Sequence, residues 1–244
     1  MRILIFASVL TFAFTSASAQ QVNASSVETS FKNFLSAGSS RISSGGALPV
    51  FLVKENTKGN RYLFDKWVNG WVVGTQNVTY KAPNTQFNYD KMTEKLLVLV
   101  DGTTVIELNT ADILSFTIGE GESQHTFVRL KNSTDEHFYE QVTSNNKGYA
   151  LYKQLITKLK KADYETNGIF ESGNKFDEYK DEYQYFVVTP KQELLKITAF
   201  KEKVIKNALG NEAKKVDTFI SSHKGQKIDE QYVKGLIEYV NSES

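Results

Sequence analysis

The 244-residue sequence has no cysteine, three prolines and three histidines. The missing cysteine removes disulfides, thiol nucleophiles, zinc–thiolate sites and acylation at a lipobox cysteine together. Stability must therefore come from packing. The histidines, His125, His137 and His223, never pair at i, i+4, and no H-E-x-x-H motif or EF-hand loop occurs, so no metal site is assigned. His137 shares a strand face at period two with Asp135 and Tyr139, a pattern a solvated strand explains. His223 reads as a capping or packing residue at a helix end.

Long hydrophobic runs are scarce too. Ile3–Phe14 follows Met1-Arg2 and precedes Ala17-Ser18-Ala19, the layout of a cleaved secretory signal. The run is shorter than the ~20 residues of a spanning helix and has no counterpart downstream. The expectation is an exported chain, periplasmic or secreted, not lipid-anchored and with no membrane span after cleavage. Removing residues 1–19 takes Arg2 and no acidic residue, leaving 28 basic against 28 acidic side chains. Such a balance argues against nucleic acid and against a polybasic membrane anchor.

Catalytic motifs are equally sparse. No G-x-S-x-G elbow occurs, and the S-x-x-K matches beginning at Ser144, Ser172 and Ser221 lack a K-T-G element. Gly119-x-Gly121 lacks the third glycine and the following helix of a phosphate cradle. No catalytic residue and no cofactor is assigned. Carboxylates paired by the fold stay open, because spacing does not reveal them. Glu120 and Glu122 sit on a turn tip, where little would raise the pKa of an acid catalyst.

What is present is β pattern. Lys95–Val100 and Thr104–Glu107 flank Asp101-Gly102, a strong hairpin signal because a type I′ turn needs positive φ at both central residues. Ile113–Ile118 reads as a third strand after them. Tyr62–Trp67 and Trp71–Gln76 around Asn69-Gly70 read as a second hairpin by the same rule. Short strands are expected at Val78–Tyr80, Gln86–Tyr89, Thr126–Leu130 and Glu136–Val142, with turns at 119–122, 132–135 and 144–148. Tyr149 onward fits strand or helix. Ile156–Glu182 reads as the basic end of that element running into a polar loop. A last hairpin turns at Thr189-Pro190-Lys191-Gln192.

The ends are helical. Val27, Phe31, Phe34 and Leu35 share a helical face behind a capping box at Ser25–Glu28, followed by a flexible Ser/Gly-rich stretch from Ser39 to Ala47. Near the C-terminus, Phe200, Val204, Ala208 and Leu209 mark one helix, ending at Gly210. Val216, Phe219, Ile220 and His223 mark a second, ending at Gly225. Val233, Leu236, Ile237 and Val240 mark a third behind Asp229 as N-cap.

The order Asn88-Tyr89-Asp90, Asp101-Gly102, Ile113-Leu114-Ser115-Phe116, Phe138-Tyr139, Tyr149-Ala150-Leu151-Tyr152-Lys153, Tyr185-Phe186-Val187-Val188 and the ending KKVDTFISSHKGQKIDEQYVKGLIEYVNS resembles a group of uncharacterised exported β-rich proteins of Bacteroidota-type bacteria. The resemblance spans roughly Arg61 to Ser242. It implies a cell-envelope location and a fold type, and transfers no catalytic residue.

The fold expected is mainly β, an antiparallel meander forming a sandwich or a curved, barrel-like sheet, with a short N-terminal helix and a helical C-terminal cap. The divisions are 1–19 signal peptide, 20–47 helix and linker, 48–198 β domain and 199–244 three-helix cap. Trp67, Trp71, Tyr62 and Tyr80 are the candidate binding residues, since aromatic faces stack on sugars or accept apolar side chains. The leading function is a non-enzymatic envelope protein binding a macromolecule through its β domain, a partner protein ahead of a glycan. The alternatives are a carrier of a lipid or other apolar ligand in a curved sheet, and a hydrolase with fold-assembled carboxylates.

Overall fold

A computed structural model describes residues 31–35, 41–43, 57–82, 84–130, 137–143 and 148–242. A helical segment at 31–35, α1, precedes strands β1 (Arg41–Ser43), β2 (Thr57–Lys58), β3 (Gly70–Gly74), β4 (Thr79–Tyr80) and β5 (Gln86–Asp90). The middle of the chain forms β6 (Lys95–Val100), β7 (Thr104–Glu107), β8 (Ile113–Ile118), β9 (His125–Val128) and β10 (Tyr139–Gln141). Then come β11 (Ala150–Lys160), β12 (Glu165–Asn167), β13 (Phe170–Ser172), β14 (Asp177–Val188) and β15 (Leu194–Ile197). Helices α2 (Glu202–Ala208), α3 (Ala213–Ser222) and α4 (Glu230–Ser242) end the chain. The expected signal segment, the expected capping box and the expected turns at 132–135 and 144–147 lie outside the described residues.

The fold is mainly β with helical ends. A four-stranded sheet has the order β1-β7-β6-β5. A larger sheet runs β15-β14-β11-β10-β9-β8-β3-β4, with β2 pairing β14 at the side, and β12-β13 form a small hairpin of their own. The Asp101-Gly102 turn forms as expected, with φ +53 and +70, and closes β6 on β7. Ile113–Ile118 is a strand, but it does not join that hairpin. It crosses to the larger sheet between β3 and β9, and both edges of the hairpin are taken, β6 by β5 and β7 by β1. Leu96 and Val98 point into the main core, while Leu97, Leu99 and Val105 form a smaller cluster on the outer face.

Four further expectations are corrected. Asn69-Gly70 is not a turn: Gly70 begins β3, and only glycine fits there because an added Cβ would sit 2.5 Å from the Thr117 carbonyl oxygen. Tyr62–Trp67 is not a regular strand; it follows the edge of β5 through isolated bridges Tyr62↔Asp90 and Val68↔Phe87. Within the Ser/Gly-rich stretch, Arg41–Ser43 pairs with β7. Ile156–Glu182 is largely not a loop, since β11 and β14 pair from Ala150↔Val188 to Lys160↔Glu178, which also settles Tyr149 onward as strand. The charged residues that suggested a loop are cross-strand partners, as in Lys158–Glu182 at 2.9 Å.

Residues directly opposite in an antiparallel ladder share a face. One row crosses the whole larger sheet: Tyr80, Val72, Phe116, Phe127, Glu140, Lys153, Tyr185 and Ile197. Its first four members pack under the four-stranded sheet in a core with Phe31, Phe87, Tyr89, Leu96 and Phe138. Rings fill that space, with Phe116 centred 4.9 Å from both Phe127 and Phe138. At the row's other end, Tyr185 and Ile197 join Leu151 and Val187 under the helices, which contribute Val216, Phe219, Val233, Leu236, Ile237 and Val240. As expected, α3 stops before Gly225, whose φ is +86, and the Asp229 carboxylate accepts from the Tyr232 amide at 3.2 Å to cap α4. The two apolar layers therefore stand side by side on one face of one sheet.

Candidate functional site

Between those layers the row turns charged. Lys153 Nζ lies 3.3 Å from Glu140 Oε1 and 3.3 Å from Glu230 Oε2, reaching the first turn of α4. His125 Nδ1 is 2.8 Å from Glu140 Oε1, and the Tyr185 hydroxyl donates to Glu230 Oε2 at 2.7 Å. Phe64 stands edge-on to the His125 ring, and the Lys153 ammonium lies over the face of Tyr183. Burial opposes the charge on Lys153, but Glu140 and Glu230 together outweigh it and raise its pKa. Tyr185 is pushed well up, first by burial and then by its bond to Glu230.

Glu140 and Glu230 are thus carboxylates that the fold brings together from β10 and α4, far apart in sequence. The ammonium of Lys153 occupies the space between them, where a glycosidase would place a sugar and its attacking water. The arrangement ties the helical cap to the sheet.

The four aromatic candidates do not form one platform. Tyr62 and Trp67 pack on the outer face of the four-stranded sheet with Leu97, Leu99 and Val105. The Asn88 side chain holds their segment in place: its amide donates to the carbonyls of Phe64 at 2.8 Å and Lys66 at 3.2 Å, and its oxygen accepts from the Phe64 amide. Arg61 adds a bidentate pair with Asp90, Nε donating to Oδ1 and Nη2 to Oδ2. Tyr80 faces the main core and stacks on Phe34 at 4.2 Å between ring centroids. Trp71, next to Val72 along β3, lies on the opposite face of the larger sheet beneath the Lys81 ammonium.

The histidines also have local partners. His137 Nδ1 is 2.6 Å from Glu94 Oε2 at the rim of a shallow concavity of about 210 Å³, lined by Met92, Thr93, Glu94, Lys95, Thr110 and His137. Asp135, its expected companion, lies outside the described residues. Among the described residues no group of three or more His, Cys, Asp or Glu is placed to hold a metal ion. His223 stacks on Phe219 at 3.9 Å within the helical cap.

One feature was missed by the sequence reading. From Lys153 and Tyr185 outward, β11 and β14 run on as an arm that the body still touches through Lys91 at Asp181 and through β2 at Asp177–Glu178, and that ends in the β12–β13 hairpin. Asn167↔Phe170 flank a two-residue turn at Gly168-Ile169, with Gly168 at φ +64. At this tip Ile169 is 94% and Phe170 79% exposed. Tyr164, Phe176 and Tyr183 on the same arm are also exposed, so most of the large exposed apolar side chains among the described residues gather here. At the neck, Gly173 (φ +82) approaches Asp163 so closely that no side chain fits, and the Asp163 carboxylate accepts from the Asn174 amide at 2.6 Å. The signal was legible: Asn167-Gly168 followed by an isolated Ile-Phe pair in a polar stretch.

No protein-family model, curated protein or solved structure matches the chain.

Proposed function

We propose that the chain is an exported, non-enzymatic cell-envelope protein that binds a macromolecular partner, a protein in preference to a glycan, through the β11–β14 arm of its β domain. The observation that carries this reading is the exposed Ile169–Phe170 pair at the arm's tip. Two large apolar side chains held out by a paired ribbon lose little conformational entropy on docking, and apolar anchors of this kind dominate binding energy at interfaces. The export pattern of residues 3–19 and the resemblance to exported β-rich proteins support the location. No helix among the described residues is long and apolar enough to cross a membrane.

The carrier alternative calls for small inward residues around open space, whereas Phe87, Tyr89, Phe116, Phe127 and Phe138 pack ring on ring between the sheets. The hydrolase alternative calls for carboxylates open to substrate, whereas Glu140 and Glu230 both engage Lys153.

A photo-crosslinking residue at position 170, introduced into the protein in its native host, tests the reading. Docking through the arm predicts covalent adducts that disappear when Ile169→Ser is added, and none from the same probe at Val78, an exposed residue on another part of the fold. Equal labelling at positions 78 and 170 would remove the arm from the reading.

A further inference from the structure

The sequence contains Asn-Gly twice, at Asn69-Gly70 and at Asn167-Gly168. This dipeptide is chemically labile. With no side chain on the glycine to hinder it, the glycine amide nitrogen can reach the asparagine side-chain carbonyl and close a five-membered succinimide ring. Both asparagines are exposed, so access to water does not distinguish them. What distinguishes them is how firmly the backbone is held, because closing the ring requires the peptide plane between the two residues to turn.

At Asn69 that plane is pinned. Val68 and Phe87 exchange both backbone hydrogen bonds, at 3.0 and 2.7 Å, and the Asn69 carbonyl accepts from the Gly119 amide at 2.9 Å. Gly70 then begins β3 in a berth so tight that an added Cβ would meet the Thr117 carbonyl oxygen, Ile118 and Phe87. Turning the Asn69–Gly70 peptide would break the bond to Gly119 and drive Gly70 against the larger sheet.

Asn167 is held far less. It ends β12, which pairs with β13 in a sheet of two strands, a unit that is marginally stable by itself. The Asn167↔Phe170 pair closes this hairpin, and Gly168 takes the first turn position at φ +64, with open space where a Cβ would stand. Fraying of that last pair frees the peptide to turn.

We propose that Asn167 is a site of spontaneous deamidation and, resting on the reading of the arm as a docking element, that this modification retires the arm's apolar tip. The Gly168 nitrogen attacks Asn167 Cγ. A C–N bond forms, the Cγ–Nδ2 bond breaks, and ammonia leaves with the Gly168 amide proton. Water then opens the ring. Addition at Cγ gives aspartate; addition at the main-chain carbonyl gives isoaspartate, in which the chain runs through Cβ and Cγ. The reaction consumes one water and releases one ammonia, and nothing is oxidised or reduced.

Either product spoils the anchor. A new carboxylate stands beside Ile169 and Phe170, and carrying it into an apolar contact costs desolvation. Isoaspartate also lengthens the backbone by one carbon, which puts Asn167 and Phe170 out of register. Both hydrophobic cores lie elsewhere, so the fold survives the change. The docking tip therefore has a chemical lifetime set by its own turn.

Peptide mapping by mass spectrometry of the signal-free chain, incubated folded in mildly alkaline buffer, tests the site. The peptide holding Asn167 is expected to gain one mass unit and to split into aspartate and isoaspartate forms, while the peptide holding Asn69 stays unchanged. In urea both convert, and Asn167→Gln removes the first shift. An Asn167 that stays intact in the folded chain, or an Asn69 that converts alongside it, overturns the site. Fresh and aged protein carrying the crosslinker at position 170 are then added to the host's envelope fraction. Adducts are expected to be lost on ageing and retained in aged Asn167→Gln. Undiminished adducts from fully converted protein overturn the retirement of the tip and leave docking through the arm standing. Conversion at Asn167 with no adducts even from fresh protein overturns the docking reading, and the retirement with it, and leaves the deamidation site.

Discussion

Lys153 on β11 and Glu230 on α4, 77 positions apart in sequence, meet at 3.3 Å and join the helical cap to the sheet. The same ammonium holds Glu140, so its removal leaves two carboxylates facing each other in a largely enclosed place. Lys153→Met is expected to cost about 3 kcal/mol in urea unfolding, and Glu230→Gln, which still accepts from Tyr185, about 1 kcal/mol. Equal losses in the two variants would mean that the lysine does not serve both acids.

Alkaline pH should loosen this region and the main core together. The raised pKa of Lys153 favours its charged form in the fold, and the raised values of Tyr185 and Tyr89 favour their neutral forms. For each, the stabilisation is complete below the unfolded-state pKa and lost as pH climbs through the folded one. Stability is therefore expected to be insensitive to these groups at neutral pH and to fall above about pH 10. Tyrosinate absorbance followed on raising the pH should show a late class of tyrosines ionising together with unfolding. A single class at the ordinary tyrosine pKa would contradict the burial of these rings.

Asn88 is fully buried and holds the irregular segment carrying Tyr62 and Trp67. Asn88→Ala leaves backbone groups of Phe64 and Lys66 short of a partner, at about 1–3 kcal/mol. In a Trp71→Phe background, emission from Trp67 should shift to the red as the segment lifts from Leu97 and Leu99. An unshifted spectrum would show that Asn88 is not what positions it.

The main core depends on shape as well as on apolar character. Phe116→Ala empties the centre of the ring cluster and is expected to cost about 3–5 kcal/mol. Gly70→Ala adds one methyl carbon against the Thr117 carbonyl and should cost about 1–3 kcal/mol. Thermal melts compare them directly, with Gly102→Ala measuring instead the strain of a left-handed turn, since open space surrounds that position.

Ile169→Ser and Phe170→Ser lie outside both cores and should leave the unfolding free energy within about 0.5 kcal/mol of the parent. A larger loss would mean that the tip packs within its own chain and is not held out for a partner.

The local elements were legible where local physics decides them. Asp101-Gly102 makes its turn because two successive left-handed residues favour that dipeptide. The three C-terminal helices end and begin where Gly210, Gly225 and Asp229 stand. Asn69-Gly70 and Asn167-Gly168 show the limit, for the glycine of the same dipeptide opens a strand in the first and a turn in the second. A close approach by Thr117, distant in sequence, makes the difference. Strand partnership was not legible for the same reason: Ile113–Ile118 has the same alternation whichever sheet it joins.

By itself, then, the sequence determined the β-rich body, the helical cap, the absence of thiol chemistry and the even charge balance. These follow from residue type and near-neighbour conformational preference. Tertiary structure alone decided that the larger sheet carries both layers on one face, that Glu140, Lys153 and Glu230 meet between them, and that Tyr62, Trp67, Trp71 and Tyr80 part company. It also turned the charged stretch into an arm with an apolar tip. Each of these depends on which distant backbones pair, and pairing is set by the burial of whole faces, a sum over residues that no local window contains.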